Sequence, residues 1–200
     1  MLSFSADTRE SWARFSEIIG AEHIYQGEAN WAYNNDKVIY NYKETVIILD
    51  FISDGESSQT RIYTPLSAKE TFRFNIYSNN FLERFANFFW GQNINIGDDL
   101  FDKKFIVKTN DVEKVRLFLS NQKVRELIWG VIPKGHFATA FQADWNKGES
   151  DYLSVNEPGV INNVDRLELI FQLIIESIEQ LIKVGIVNAG NSENASESRF

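Results

Sequence analysis

Residues 167–185 read LELIFQLIIESIEQLIKVG, and their apolar side chains recur at the spacing of an α-helix. The residues on this stripe are Leu167, Ile170, Phe171, Ile174, Ile178, Leu181 and Ile182. The i, i+3, i+4, i+7 pattern predicts an amphipathic helix of about five turns. Gly185 is a natural end, because glycine adopts the left-handed conformation that closes many helices.

A run of predicted strands lies upstream, between about residues 24 and 78. Its segments are ANWAY, KVIYNY, TVIILDFIS, TRIYTPL and TFRFNIYS, all rich in β-branched and aromatic residues. The gaps between them are too short for a helical crossover, so we expect an antiparallel meander. In the last segment, apolar and polar residues alternate from Phe72 to Tyr77, which indicates a sheet with one solvated face.

Helices and a hairpin complete the pattern. We expect a first helix capped by Asp7 and ended by Gly20, an aromatic helix at 81–90, a strand at KFIVKT, and two short helices, VEKVRLFLS and NQKVRELIW. Asn110 is the expected cap of VEKVRLFLS. HFATAFQADW and DYLSV follow as a hairpin, and Pro158–Gly159 breaks the chain.

The predicted fold class is α+β: an antiparallel β-meander sheet of about six to eight strands, with helices packed on one face and a long C-terminal helix. We expect residues 1–186 to form a single globular domain and residues 187–200 a disordered polar tail. The expected core includes Trp12, Phe15, Ile48, Phe74, Phe85, Phe105, Leu119, Leu127, Phe171 and Ile178.

Composition excludes several classes of function. The chain has no cysteine, so disulfides, thiolate metal sites and a cysteine nucleophile are ruled out. Its formal net charge of −8 makes nucleic acid an unlikely partner. No apolar run is long enough to span a membrane, and the first residues lack a signal-peptide pattern, so we expect a cytoplasmic protein without membrane attachment.

Charge is uneven along the chain. From Lys103 to Glu126 there are seven basic residues against three acidic ones. This segment could form a patch for a phosphate or a partner, or it could consist of ordinary solvated helix and strand faces.

Three aspartates just after Gly97 are the main candidates for chemistry. Asp98 and Asp102 would share a face of a helical turn and could hold a divalent cation together with Asp99 and His136. The spacing does not fit a calcium loop, and two lysines follow directly. The alternative, which we prefer, is structural: Asp98 or Asp99 caps a short helix, Asp102 closes the cap, and Leu100, Phe101 and Phe105 anchor it in the core.

Other catalytic motifs are absent, although a Ser–His–Asp triad stays open because its members need not be near in sequence. The chain has only two histidines, His23 and His136, and neither belongs to an HExxH motif. There is no GxSxG elbow, GxGxxG or GxxxxGK[ST] loop. We therefore assign no catalytic residue and no cofactor, and we leave open whether the chain is an enzyme.

The run IGDDLFDKKFIVKTNDVEKVRLFLSNQKVRELI (96–128) resembles a pattern in uncharacterised bacterial proteins, a family of unknown function. Its mark is Gly-Asp, then Phe-Asp, then a Phe-Ile-Val-Lys strand. VIYNYKETVIILDFIS, TFRFNIYS and LIFQLIIESIEQLIKVG are similar to other parts of the same proteins. The resemblance implies a bacterial cytoplasmic domain with no assigned activity, and it supplies no catalytic residue.

The leading functional hypothesis is a non-catalytic binding or interaction module whose acidic surface meets a basic protein, as toxin-neutralising immunity proteins do. One alternative is a carrier of an apolar small molecule in a pocket between sheet and helix. Another is a divalent-metal-dependent hydrolase that uses the aspartates and His136.

Overall fold

The computed structural model describes residues 5–25, 36–53, 57–65, 72–78, 92–132, 140–144 and 152–187. The helices are α1 (Ala6–Ile19), α2 (Asp99–Lys104), α3 (Val112–Leu119), α4 (Gln122–Val131) and α5 (Val164–Lys183). The strands are β1 (Glu22–Ile24), β2 (Lys37–Tyr42), β3 (Thr45–Ser53), β4 (Ser58–Pro65), β5 (Arg73–Ser78), β6 (Gln92–Ile94), β7 (Phe105–Thr109), β8 (Ala140–Asp144) and β9 (Tyr152–Pro158). The predicted segments ANWAY and FLERFANFFW lie outside the described residues.

The nine strands of the described residues form one antiparallel sheet in the order β1-β2-β3-β4-β9-β8-β5-β7-β6. The predicted α+β class, with a long C-terminal helix, is confirmed. The sheet has one strand more than the expected maximum of eight. The two outermost strands, β1 and β6, have only three residues each.

The predicted meander is right from β2 to β4 and wrong at the next strand. β5 does not pair with β4, because the β8–β9 hairpin lies between them. Val155 of β9 pairs with Ile62 of β4, while Phe74 of β5 pairs with Ala143 of β8. Local periodicity identifies a strand but not its neighbours, and these pairings join residues far apart in the sequence.

The prediction of a solvated face at β5 is also wrong. Asn75 and Tyr77 point away from Phe74 and Ile76, yet they are buried, with 7% and 1% of their surface exposed. β5 is a central strand that pairs on both sides and is covered on both faces, so alternation of polar and apolar residues was misleading there.

The core lies between the sheet and α5. Phe171 packs edge-on against Phe15 of α1 and Tyr40 of β2, with ring centroids 5.8 and 5.1 Å apart. Most expected core residues are buried: Trp12, Phe15, Phe74, Phe105, Leu119, Leu127, Phe171 and Ile178. Ile48 is an error of register, because Ile47 and Leu49 face α5 and Ile48 lies on the opposite face. Phe85 lies outside the described residues.

Helix ends follow the predicted chemistry, with shifts at two starts. Ser5, not Asp7, caps α1, and Asp111, not Asn110, caps α3. Gly20 and Gly185 both adopt positive φ after their helices, as predicted. Val187 is buried, and the rest of the predicted tail lies outside the described residues.

Arg166, in the first turn of α5, joins three elements. Its Nε and Nη2 donate to Glu157 Oε2 of β9 at 3.1 and 2.5 Å. Its Nη1 donates to the carbonyl of Gly130, and Nη2 also donates to that of Val131, at the end of α4. These bonds satisfy carbonyls that a helix end leaves without partners, while the guanidinium neutralises Glu157.

We predict that Arg166→Met lowers the free energy of unfolding by about 3–5 kcal/mol, because Glu157 and two helix carbonyls lose their partner in a mostly buried site. Chemical denaturation measures the change. Arg116→Met is the matched control: its pair with Glu113 is exposed and should contribute less than about 1 kcal/mol. Equal losses in the two variants would contradict a special role for Arg166.

Candidate functional site

The aspartates after Gly97 build a helix start. Asp98 is the N-cap of α2, and its Oδ1 accepts hydrogen bonds from the backbone N–H groups of Leu100 and Phe101 at 3.2 and 3.1 Å. Phe101 is fully buried and packs against Phe105 in a tilted arrangement, with ring centroids 4.6 Å apart. The predicted capping role of Asp98 is confirmed.

Asp102 closes the same turn from the other side. Its Oδ1 accepts from the N–H of Ile96 at 2.9 Å, and its Oδ2 accepts from the N–H of Gly97 at 3.0 Å. Leu100 was expected in the core, but 71% of its surface is exposed, because it lies on the outer side of this short helix. A sequence reveals a helix cap because capping depends on neighbouring residues. It does not reveal which side of a six-residue helix faces outward.

These contacts leave the aspartates poorly suited to a metal. The carboxylates of Asp98 and Asp102 already accept backbone N–H groups, and Arg125 Nε lies 3.6 Å from Asp98 Oδ2. Within the described part of the chain, no three His, Asp or Glu side chains come close enough to hold a metal ion. His136, the fourth candidate, lies outside the described residues.

The basic segment is divided into ion pairs. Lys114 Nζ lies 3.2 Å from Asp111, Arg116 lies 3.5 Å from Glu113, and Arg125 pairs with Asp98. The third of these pairs brings Asp98, which precedes the segment in the sequence, beside one of its cations. Three of the seven basic side chains therefore lie in ion pairs within the fold, which supports the interpretation as ordinary solvated faces.

A second cluster of titratable groups surrounds His23 on β1. Burial lowers the pKa of His23, Asp36 acts in the opposite direction, and Arg9 lowers it further. Asp36 is itself buried and accepts from Arg9 Nε at 3.2 Å, while the Arg9 guanidinium lies 4.1 Å from the Tyr25 ring centroid. The cluster attaches α1 to the start of the sheet.

A third cluster attaches the β2–β3 hairpin to α5. Tyr42 Oη donates to Glu179 Oε1 at 2.6 Å, and Lys43 forms an ion pair with the same carboxylate. Lys43 and Tyr42 lower the pKa of Glu179, while burial and the carboxylate raise the pKa of Tyr42 far above its usual range. A tyrosine that holds its proton this tightly does not act as a general base near neutral pH.

The sheet–helix interface that a carrier would use is filled where the structure describes it. Trp12, Ile62, Phe171 and Ile174 expose at most 7% of their surfaces there. No helix among the described residues is both long and apolar enough to cross a membrane.

A groove between α1 and the start of α5 is lined by several charged residues. Trp12 Nε1 donates to the carbonyl of Ile161 at 2.9 Å, and the N–H of Ile161 donates to Thr60 Oγ1 at 2.9 Å. These buried bonds fix the segment before α5 against α1. They join residues 149 and 101 positions apart, which is why no sequence pattern indicates the groove.

The groove is open and has a volume of about 490 Å³. It is lined by Asp7, Glu10, Ser11, Arg14, Asn162, Asn163, Val164 and Asp165. The lining therefore includes three acidic residues and one arginine. Asp7 and Asp165 also lie in the first turns of their helices, where the helix dipole favours negative charge. Glu10, farther along α1, is the carboxylate that this helix-end effect does not explain.

We predict that Asp98→Ala lowers the free energy of unfolding by about 1 kcal/mol, equally in excess magnesium and in chelator, because it removes a helix cap. Thermal unfolding in both solutions measures this. Asp99→Ala is the control: Asp99 is exposed, and its loss should change stability by less than about 0.5 kcal/mol. Magnesium-dependent stabilisation of the parent protein that Asp98→Ala abolishes would restore the metal hypothesis.

We also predict that His23 makes the fold sensitive to acid. Its pKa is lower in the folded protein than the ordinary value of 6.5, so the unfolded chain takes up the proton first as pH falls. The stability that the neutral His23 contributes is fully present above pH 6.5 and is lost as pH falls from there through the lower pKa of the folded protein. Comparing melting temperatures at about pH 7 and about pH 5 should show a smaller drop for His23→Gln than for the parent. An identical drop would exclude His23 as the source.

The comparisons with known proteins bear on the fold alone. No protein-family model matches the sequence, and no curated protein is similar enough to count as a relative. A solved structure with a similar fold is the mycobacterial trehalose monomycolate transport factor A, TtfA. It aligns with a TM-score of 0.58 and 11% sequence identity, over 88% of this chain and 96% of that one. The chain therefore shares the overall fold of TtfA.

Proposed function

We propose that the protein is a non-catalytic binding module whose groove between α1 and α5 receives a basic segment of a partner protein. The observation that carries the proposal is that three acidic residues, Asp7, Glu10 and Asp165, line one groove. The net charge of −8 adds a long-range attraction for cationic partners.

The groove suits a lysine or arginine side chain for two reasons. First, its carboxylates come from two helices that the buried bond from Trp12 to Ile161 holds together, so little ordering is needed on binding. Secondly, Arg14 would repel a cation from one end, so a basic segment would bind in a preferred direction. An extended segment could place basic side chains along these carboxylates and an acidic or polar residue beside Arg14.

An immunity-like role, in which the module neutralises a basic toxin, would use this chemistry, and a bacterial origin and a cytoplasmic location form part of the same proposal. The two alternatives have less support among the described residues. The carrier needs a closed apolar pocket where side chains fill the interface, and the hydrolase needs carboxylates that already bind backbone N–H groups.

We predict that Glu10→Lys weakens binding of an oligolysine peptide by about tenfold at low salt, because it replaces a groove carboxylate with a repelling charge. Fluorescence anisotropy of the labelled peptide measures the affinity. Glu17→Lys is the matched control. It makes the same charge change at an exposed position of the same helix, but Glu17 is not among the residues that line the groove.

The two variants separate a site from a general charge effect. If both weaken binding equally, the peptide responds to net charge and the groove is not the site. If neither weakens it, the acidic surface on α1 takes no part in binding and the proposal fails.

A further inference from the structure

The side of α2 that faces away from the core continues into the outer side of α4. Leu100 exposes 71% of its surface, and Lys104 lies on the same side of α2 one turn later. Lys104 Nζ lies 5.6 Å from the centroid of the Trp129 ring on α4, and 38% of Trp129 is exposed. We refer to residues 98–104 and 123–129 together as the α2–α4 surface.

This surface is held rigidly. The Trp129 ring packs edge-on against Phe105, with centroids 5.2 Å apart, and Arg125 joins the two helices through Asp98. Arg125 Nη1 also donates to the carbonyl of Leu119 at the end of α3. Exposed tryptophan and leucine on a rigid support are what the centre of a protein–protein interface requires.

The charges on the α2–α4 surface balance. It carries four acidic residues and four basic ones: Asp98, Asp99, Asp102 and Glu126 against Lys103, Lys104, Lys123 and Arg125. The whole chain, in contrast, has a net charge of −8. Two copies of such a chain repel each other in general, and they meet most favourably where each is locally neutral and apolar.

We propose that the α2–α4 surface is the interface of a weak symmetric dimer, with a second copy of this chain as its occupant. A two-fold contact places the same patch on both sides, so a patch with equal numbers of both signs brings no net charge against itself. Leu100 and Trp129 supply the apolar centre. This proposal uses different residues from the groove and does not depend on the proposed function.

The expected strength is modest. α4 has ten residues, so it is about 15 Å long, and α2 is shorter. Such a surface lies at the small end of specific interfaces, where association is weak and transient. We therefore expect monomer at low protein concentration and dimer as concentration rises.

The direction in which salt changes the dimer affinity distinguishes this proposal. Screening weakens the repulsion between two chains of like net charge more than it weakens short contacts between apolar groups. Dimerisation should therefore tighten as sodium chloride increases. Binding of a basic peptide in the groove should weaken under the same change, so failure of one proposal can be told from failure of the other.

The test is sedimentation velocity of the full chain over increasing protein concentration, at low and at high salt. The expected result is a reversible dimer that Leu100→Ser and Trp129→Ser each weaken by about tenfold. Leu100→Ser is the safer variant because this side chain is mostly exposed, and thermal unfolding checks that Trp129→Ser still folds. Ile18→Ser and Leu117→Ser, both 52% exposed in the parent protein, are the matched controls on α1 and α3.

Lys104→Glu tests the charge balance, because it leaves the patch with an excess of negative charge and should also weaken the dimer. A chain that stays monomeric under all conditions overturns the proposal. So does a dimer that the control variants weaken as much as Leu100→Ser does, since the interface would then lie elsewhere. A dimer that dissociates as salt rises is held by ion pairs and not by the apolar centre, and it likewise overturns the proposal.

Discussion

The guanidinium of Arg166 is the contact on which both candidate surfaces depend. It fixes the start of α5 to β9 through Glu157 and the end of α4 through two backbone carbonyls. The start of α5 forms one wall of the acidic groove, and the last turns of α4 carry Trp129. A single side chain with few remaining degrees of freedom thus sets the position of two surfaces on different parts of the molecule.

Local chemistry in the sequence was sufficient for elements and caps but not for their arrangement. The apolar stripe of α5, the cap at Asp98 and the stop at Gly185 depend on residues within a few positions, and each was predictable. The placement of β5 next to β8 was not, since many pairings satisfy the same alternation. Ile48 shows the finer limit: in a run of consecutive apolar residues, periodicity does not say which ones face the helix.

The candidate site was hidden for the same reason. Asp7 and Asp165 both look like helix-start residues in the sequence, and they are, but the fold also brings them to one groove. Conversely, the conspicuous Asp98 and Asp102 after Gly97 accept hydrogen bonds from backbone N–H groups, and Asp98 also pairs with Arg125. Charged residues that are neighbours in the sequence need not be neighbours in the fold, and a ligand binds only groups that are close together in the fold. The acidic groove and the α2–α4 surface have no residue in common, so the two proposed contacts would not compete.

The brevity of β1 and β6 has a consequence for solubility at high concentration. A sheet rich in aromatic and β-branched residues is prone to edge-to-edge growth into fibres, because its outer strands offer unsatisfied backbone groups. Here the outermost strands of the described sheet are three residues long, so each offers only a few such groups. At these two strands, neighbouring molecules would gain too few backbone hydrogen bonds to start an amyloid-like stack. Contact between copies of the chain would then depend on side chains and would be weak and reversible.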